Sequence, residues 1–204
     1  MARRSGTFTA TKWHYFTVVY NFIKDETLGS YSIETLNITP KEAELHNLRC
    51  IINNRPEQMI KAGQFKVLKE NGEIWMSNTL MEVTTHQEAI KKAKGNILVA
   101  GLGLGMFLTA IKDKKEVNEI TVIEKSKEVI KLVGKYYQDK KIKIINADIF
   151  LYQTKEKFDF IWLDIWPDIC SDNLQEMEFL KNKFFKNSKN ILCWSEEILR
   201  VGES

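Results

Sequence analysis

The sequence predicts an α/β protein: a doubly wound parallel sheet with helices on both faces, preceded by a mixed α/β cap that contains a β-hairpin. Three observations carry that prediction. From residue 96 onward, short β-branched runs alternate with stretches of helical period. At the first strand-to-helix junction stands "ILVAGLGLGMFLTAI", an apolar run broken by Gly101, Gly103 and Gly105. Residues 1–95 keep a different rhythm, with short strands, a tight turn and capped helices. Parallel strands need long crossovers, and helices of this length supply them.

The elements follow in order. "HYFTVVYNF" and "YSIETLNI" read as strands. "TPKEAELHNLRCII" is a helix with Thr39 at the N-cap, Pro40 at the first helical position and Glu42 completing a capping box. "FKVLKENGEIWMS" is a hairpin, because Asn71-Gly72 supplies the two positive-φ positions of a type I′ turn. "TTHQEAIKKAKG" reads as a second capped helix ending at Gly95. These elements form a cap, 1–95, on the entry side of the sheet.

The second unit, 96–204, begins with "NILVA" as a buried strand, after which the glycines open a helix through about Lys114. "EITVIE" is the second strand, and "SKEVIKLVGKYY" a helix with Ser126 as N-cap. "KIKIIN" is the third strand and the more apolar "FDFIWLDI" a central fourth. A helix through "SDNLQEMEFLKNKFF", with Asp172 as its cap, leads to a short fifth strand, "NILCW".

Composition narrows the function. With 204 residues, 44% of them hydrophobic and 28% charged, the chain is an ordinary globular one with room for a full core. A net charge of +3, with lysines scattered over helix faces, argues against a nucleic-acid partner. No apolar run reaches the roughly 18 residues of a membrane helix, so no membrane partner is expected. Cys50, Cys170 and Cys193 are far apart, which fits reduced thiols in a cytoplasmic protein. Only three histidines occur, without a metal-binding spacing, and no metal is expected.

Three alternate glycines ask for more than a tight turn. A nucleotide-like ligand crossing a helix N-terminus needs close backbone approach and free N–H groups. Glu124 ends the second strand about 20 residues beyond the glycines, where a carboxylate can accept both ribose hydroxyls. Asp148, in "NADIF" after the third strand, is placed to reach an adenine amino group. NAD would want G-x-G-x-x-G, but Met106 and Phe107 follow the last glycine. No GK[ST] follows either, which removes a nucleotide triphosphate loop.

The G-x-G-x-G spacing with the third-strand Asp resembles the S-adenosylmethionine site of class I methyltransferases. "VAGLGLG", "VIEKS", "NADIF" and "DFIWLDIWPD" stand as that superfamily's successive motifs. The resemblance implies a Rossmann-like sheet of order 3-2-1-4-5 and S-adenosylmethionine, or its decarboxylated form, as cofactor. Gly101, Leu102, Gly103, Gly105, Glu124, Ala147, Asp148 and Asp164 would hold it. Within the superfamily the chain is similar to the spermidine-synthase branch, which shares the hairpin cap and an acidic loop after strand four. It also resembles small methyltransferase-like proteins of phage genomes through "ITPKEAELHNLR", "WMSNT", "GLGLGM" and "DIWPDICSDNLQEM". Two departures stand out. Leu102 or Leu104 replaces the acid that spermidine synthases carry in the glycine loop, and "TTHQE" replaces their tyrosine motif. Strands six and seven of that fold are expected to be lacking, so the cap or a second copy of the chain in a homo-oligomer is expected to close the pocket.

In such sheets the chemistry sits beyond the strands' C-terminal ends. Asp164 ends an almost wholly apolar strand, and a carboxylate there needs a partner or a task. It is the candidate catalytic base, with His86, before the first strand, as the second catalytic candidate. Glu82, Trp166 and Asp168 are candidate substrate residues, since carboxylates and an indole suit a small amine-bearing molecule. The expected activity is methyl transfer from S-adenosylmethionine to such an acceptor. Aminopropyl transfer, or binding without turnover, are the alternatives.

Overall fold

The computed structural model describes residues 22–55 and 58–202. The first expected strand, "HYFTVVYNF", and the arginines near the N-terminus lie outside the described residues, Phe22 excepted. Two sheets organise the rest. The cap is antiparallel: β1 (Glu26–Leu28), β2 (Tyr31–Ile38), β3 (Gly63–Glu70) and β4 (Glu73–Ser77) pair in that order. β2 and β3 run side by side over eight residues, from Tyr31 opposite Glu70 to Ile38 opposite Gly63. Asn71 and Gly72 adopt φ of 52° and 86°, the type I′ geometry that their sequence requires.

The β3–β4 pairing carries an irregularity that the sequence does not announce. Leu68 pairs Met76 and Lys69 pairs Ile74, leaving Trp75 as the extra residue of a β-bulge. A bulge sets two residues of one strand against one of its partner and re-aims their side chains. Both Trp75 and Met76 consequently face the cavity described below.

Helix α1 (Pro40–Ile52) starts as its sequence dictates. Thr39 Oγ1 accepts from the Glu42 N–H at 3.2 Å, and Glu42 Oε2 accepts from the Thr39 N–H at 2.8 Å. The next helix departs from expectation. Instead of one helix through "TTHQEAIKK" there are two short ones, α2 (Leu80–Thr85) and α3 (Gln87–Lys92), broken at His86. The cause is local competition for carbonyls. Thr84 Oγ1 donates to Leu80 O, while Thr85 Oγ1 and His86 Nδ1 both donate to Glu82 O, each bond 2.7 Å long.

The second sheet is wholly parallel. Its strands β5 (Gly95–Ala100), β6 (Val117–Glu124), β7 (Ile142–Asn146), β8 (Phe160–Leu163) and β9 (Ile191–Cys193) lie in the order β7-β6-β5-β8-β9. That is 3-2-1-4-5 within the sheet, as expected. Among the described residues no sixth or seventh strand joins it. β5 and β8 are buried along most of their length, which explains their near-continuous apolar sequences.

The connecting helices are α4 (Met106–Ile111), α5 (Lys127–Val133), α6 (Asn173–Phe184) and α7 (Glu196–Gly202). α4 ends three residues short of Lys114. Ser126 caps α5 by accepting from the Val129 N–H at 3.1 Å. Asp172 stands at the N-cap of α6 but makes no capping bond, because its backbone is already helical. α5 also carries the cap: β1 and β2 pack against it, and Lys135 pairs with Glu26 just beyond it.

Candidate active site

The order of the parallel sheet opens a crevice outside the C-terminal ends of β5, β6 and β8, where successive crossovers leave to opposite sides. The cap hairpin roofs it. The result is a cavity of about 650 Å³, a size that holds a nucleoside-like ligand with a small second molecule.

The glycine turn forms the floor next to β5. Gly101, Gly103 and Gly105 have φ of +94°, +50° and +74°, values that a side chain makes costly. What approaches each of them is protein. A Cβ on Gly101 would lie 2.0 Å from the Asp164 carbonyl oxygen, and one on Gly105 2.3 Å from the Tyr137 phenol. A Cβ on Gly103 would lie 2.2 Å from Met76 Sδ. Gly101 and Gly103 nevertheless line the cavity. Gly105 does not line the cavity, and its bareness admits Tyr137, whose hydroxyl donates to the Leu104 and Gly105 carbonyls. Only at Gly103 does the neighbouring atom belong to a flexible side chain. Met76 Sδ there accepts the Leu104 N–H at 3.0 Å.

Glu124 and Asp148 sit where the sequence places them. Glu124 accepts the Leu102 N–H on Oε2 at 2.8 Å and the Ser126 N–H on Oε1 at 2.7 Å. It thereby ties the glycine turn to the start of α5, and each oxygen keeps a second acceptor direction. Burial raises its pKa, and the backbone donors act against that rise. Asp148 is more engaged than expected. Oδ1 accepts the Phe150 N–H at 2.9 Å and Oδ2 pairs with Lys125 at 3.0 Å. Burial raises its pKa and these partners more than reverse it, for a net lowering. Ala147 lines the wall between the two acids, its N–H donated to Glu124 O at 3.0 Å.

The far end of the cavity holds a network around His86, whose side chain is 2% exposed. Nδ1 lies 2.7 Å from the Glu82 carbonyl oxygen and Nε2 lies 2.8 Å from Asp164 Oδ2. A carbonyl can only accept, and so can Asp164 when ionised; both ring nitrogens then donate and the ring is an imidazolium. Burial opposes that charge. Asp164, by charge and hydrogen bond, and the Glu82 carbonyl outweigh it, and the pKa moves up. Trp194 Nε1 donates to Thr85 Oγ1 at 2.9 Å, anchoring the helix break to the end of β9. Glu82, half-buried beside Asp164, has its pKa pushed up to about 7 by burial first and by the Asp164 charge second.

The remaining candidates divide. Trp166 is buried, lines the wall and spends its indole N–H on Glu176 Oε2 at 2.8 Å. Asp168 is exposed at the rim. Several lining residues escaped the sequence reading, namely Tyr31 and Glu70 from facing positions on β2 and β3, Trp75 and Met76 from the bulge, and Trp194. Burial and the Glu70 carboxylate push the Tyr31 phenol up to about 12. Of the lining residues eight are Asp or Glu, and Lys125 is the one Lys or Arg. The cavity is strongly acidic.

No family model matches the chain. Among curated proteins it is similar to the polyamine aminopropyltransferase of Buchnera aphidicola subsp. Acyrthosiphon pisum, 32% identical over 123 residues, covering 54% of this chain and 41% of that one. It is also similar to the polyamine aminopropyltransferase of Saccharolobus islandicus, 28% identical over 114 residues, covering 51% and 37%. The chain thus spans about two-fifths of the length of the curated relatives it matches. Among solved structures it is similar to spermidine synthase from Thermotoga maritima, with a TM-score of 0.50 and 18% identity over 67% of this chain and 52% of that one. The chain thus shares its fold with that spermidine synthase and is similar in sequence to polyamine aminopropyltransferases over about half of its length.

Proposed function

We propose that the chain is an S-adenosylmethionine-dependent transferase that moves a methyl group to a small amine-bearing acceptor. The observation that carries this reading is the acid cavity at the sheet's crevice, with Glu124 at one end and the Glu82–His86–Asp164 network at the other. The residues present fit such a donor. Glu124 retains two acceptor directions for a ribose diol, Asp148 can take an amino N–H by displacing the exposed Lys125, and Ile149 and Phe150 give the apolar wall that a flat base needs. When bound, the donor supplies an electrophilic carbon on a sulfonium. Glu82 and Asp164 hold the acceptor as a cation, and Trp166 closes the wall behind it.

A second reading is favoured by the same acid lining and by the polyamine aminopropyltransferases among the relatives. S-adenosylmethionine carries a carboxylate that an acid-lined cavity disfavours, whereas its decarboxylated form carries none and would transfer an aminopropyl group. Calorimetry with both donors and with NAD, followed by mass spectrometry of reactions with putrescine, tests the two together. Preferential binding of S-adenosylmethionine with a methylated product supports the first reading, and an aminopropylated product from the decarboxylated donor supports the second. Binding without product makes the chain a non-catalytic binder, and binding of NAD alone removes the proposal.

A further inference from the structure

The proposed transfer needs an acceptor nitrogen with a free lone pair, yet an amine at neutral pH enters as an ammonium ion. Two carboxylates face the place where it would sit, and their surroundings differ. Asp164 Oδ2 lies 2.8 Å from His86 Nε2. Because the opposite ring nitrogen is held by the Glu82 carbonyl at 2.7 Å, the ring cannot turn away or change tautomer without losing a bond. Asp164 is thus one half of a fixed ion pair, and it lines the cavity. The Glu82 side chain makes no salt bridge among the described residues. Its Oε1 accepts one N–H, from Ser77 at 3.2 Å, and Oε2 accepts none. The helix break at His86 holds it there, since the Glu82 carbonyl is pinned by both Thr85 and His86.

We propose, resting on the amine-transfer reading above, that Glu82 takes the proton from the acceptor ammonium while Asp164, fixed as an anion by His86, retains the positive charge. The step balances. The Glu82 carboxylate accepts one N–H proton, and the freed nitrogen lone pair forms the new N–C bond. The donor's C–S bond breaks with its electron pair going to sulfur, so the sulfonium becomes a neutral thioether. The product nitrogen again carries one positive charge, beside Asp164, and the proton on Glu82 leaves to solvent when product departs.

The charged groups that face Glu82 are Asp164, which opposes its ionisation, and His86, which favours it. Among the described residues the hairpin adds the neutral Ser77 N–H. Burial and Asp164 therefore poise Glu82 near neutrality, where a base both accepts a proton readily and releases it.

Two measurements test this. In turnover of putrescine with whichever donor the wild-type protein uses, kcat/KM should rise with pH and level off above about 7. Glu82→Gln should lose roughly 10²- to 10⁴-fold in kcat and lose that rise, with donor affinity by calorimetry unchanged. Asp164→Asn should instead raise KM for the amine and keep a rise, moved to lower pH because the Asp164 charge no longer opposes Glu82 ionisation. Independently of turnover, NMR of isotope-labelled glutamate carboxyls in the empty protein should show one group titrating near pH 7. It should be absent from Glu82→Gln and move to lower pH when putrescine is added. A rise near neutrality that survives in Glu82→Gln, or a glutamate titration indifferent to putrescine, overturns the assignment. Donor binding with no amine bound or turned over removes the amine-transfer reading itself, and the base role falls with it.

Discussion

Glu124 joins two tasks in one carboxylate. It anchors the glycine turn through the Leu102 N–H and the start of α5 through the Ser126 N–H, and under the proposed function its spare acceptor directions take a ribose. Glu124→Gln can keep one of those N–H bonds at most and loses the charge. Calorimetry should show S-adenosylmethionine binding weakened by roughly tenfold or more, and thermal melts a fall of roughly 3–10 °C. Unchanged affinity in a folded variant would remove the ribose assignment. His86 makes a second residue-scale test. In the wild-type protein its imidazolium should persist above pH 6.5, whereas in Asp164→Asn burial acts unopposed by that charge and the ring should titrate below 6.5. Proton NMR of the ring reads this directly, and identical titrations would mean that the ion pair contributes nothing. Glu124 was legible from its distance beyond the glycines and Asp148 from its place just after the third strand. The link of His86 to Asp164 was not, since the two stand 78 positions apart and nothing local in either segment names the other.

At the scale of elements, the glycine turn separates three reasons for the same residue. Gly101→Ala meets the backbone of Asp164 and Gly105→Ala meets the Tyr137 ring, each with a positive φ besides. Both should destabilise the fold by about 1–3 kcal/mol or more in denaturant melts, whatever ligand is added. Gly103→Ala meets only Met76, whose thioether can swing aside. Its cost should shrink when combined with Met76→Ala, while the costs of the other two should not. Additivity in the Gly103–Met76 pair would show that the contact is not made. The hairpin turn and the capping box of α1 were readable because a type I′ turn and an N-cap are decided within four residues. The β-bulge at Trp75 and the break at His86 were not. The first depends on how β4 meets β3, and the second on two hydroxyls and an imidazole outcompeting backbone donors for the same carbonyls.

For the whole molecule, the acid cavity couples stability to pH. Glu82 has a folded pKa near 7 against an ordinary 4.5, so the folded state holds more protons over that window and its stability falls as pH rises through it. His86, raised above 6.5, adds a further loss as pH climbs past that point. Asp25 and Asp148, both lowered, act the other way and give up stability only as pH falls below about 4. The melting temperature should accordingly decline from about pH 5 toward pH 8, and Glu82→Gln should flatten the part between about 4.5 and 7. Equal slopes in both proteins would show that Glu82 titrates normally. The strand order was implied by the family resemblance; by itself the sequence determined the α/β class, the hairpin, and the placement of Glu124 and Asp148 at the strand ends. Each rests on periodicity, turn chemistry or a short spacing along the chain. Only the tertiary structure decided that Tyr137 and Asp164 crowd two of the glycines, that Trp75 and Met76 roof the cavity, and that Glu82, His86 and Asp164 form one network. Those facts depend on how the cap docks on the sheet, and packing between elements distant in sequence follows from shape and burial that no single segment encodes.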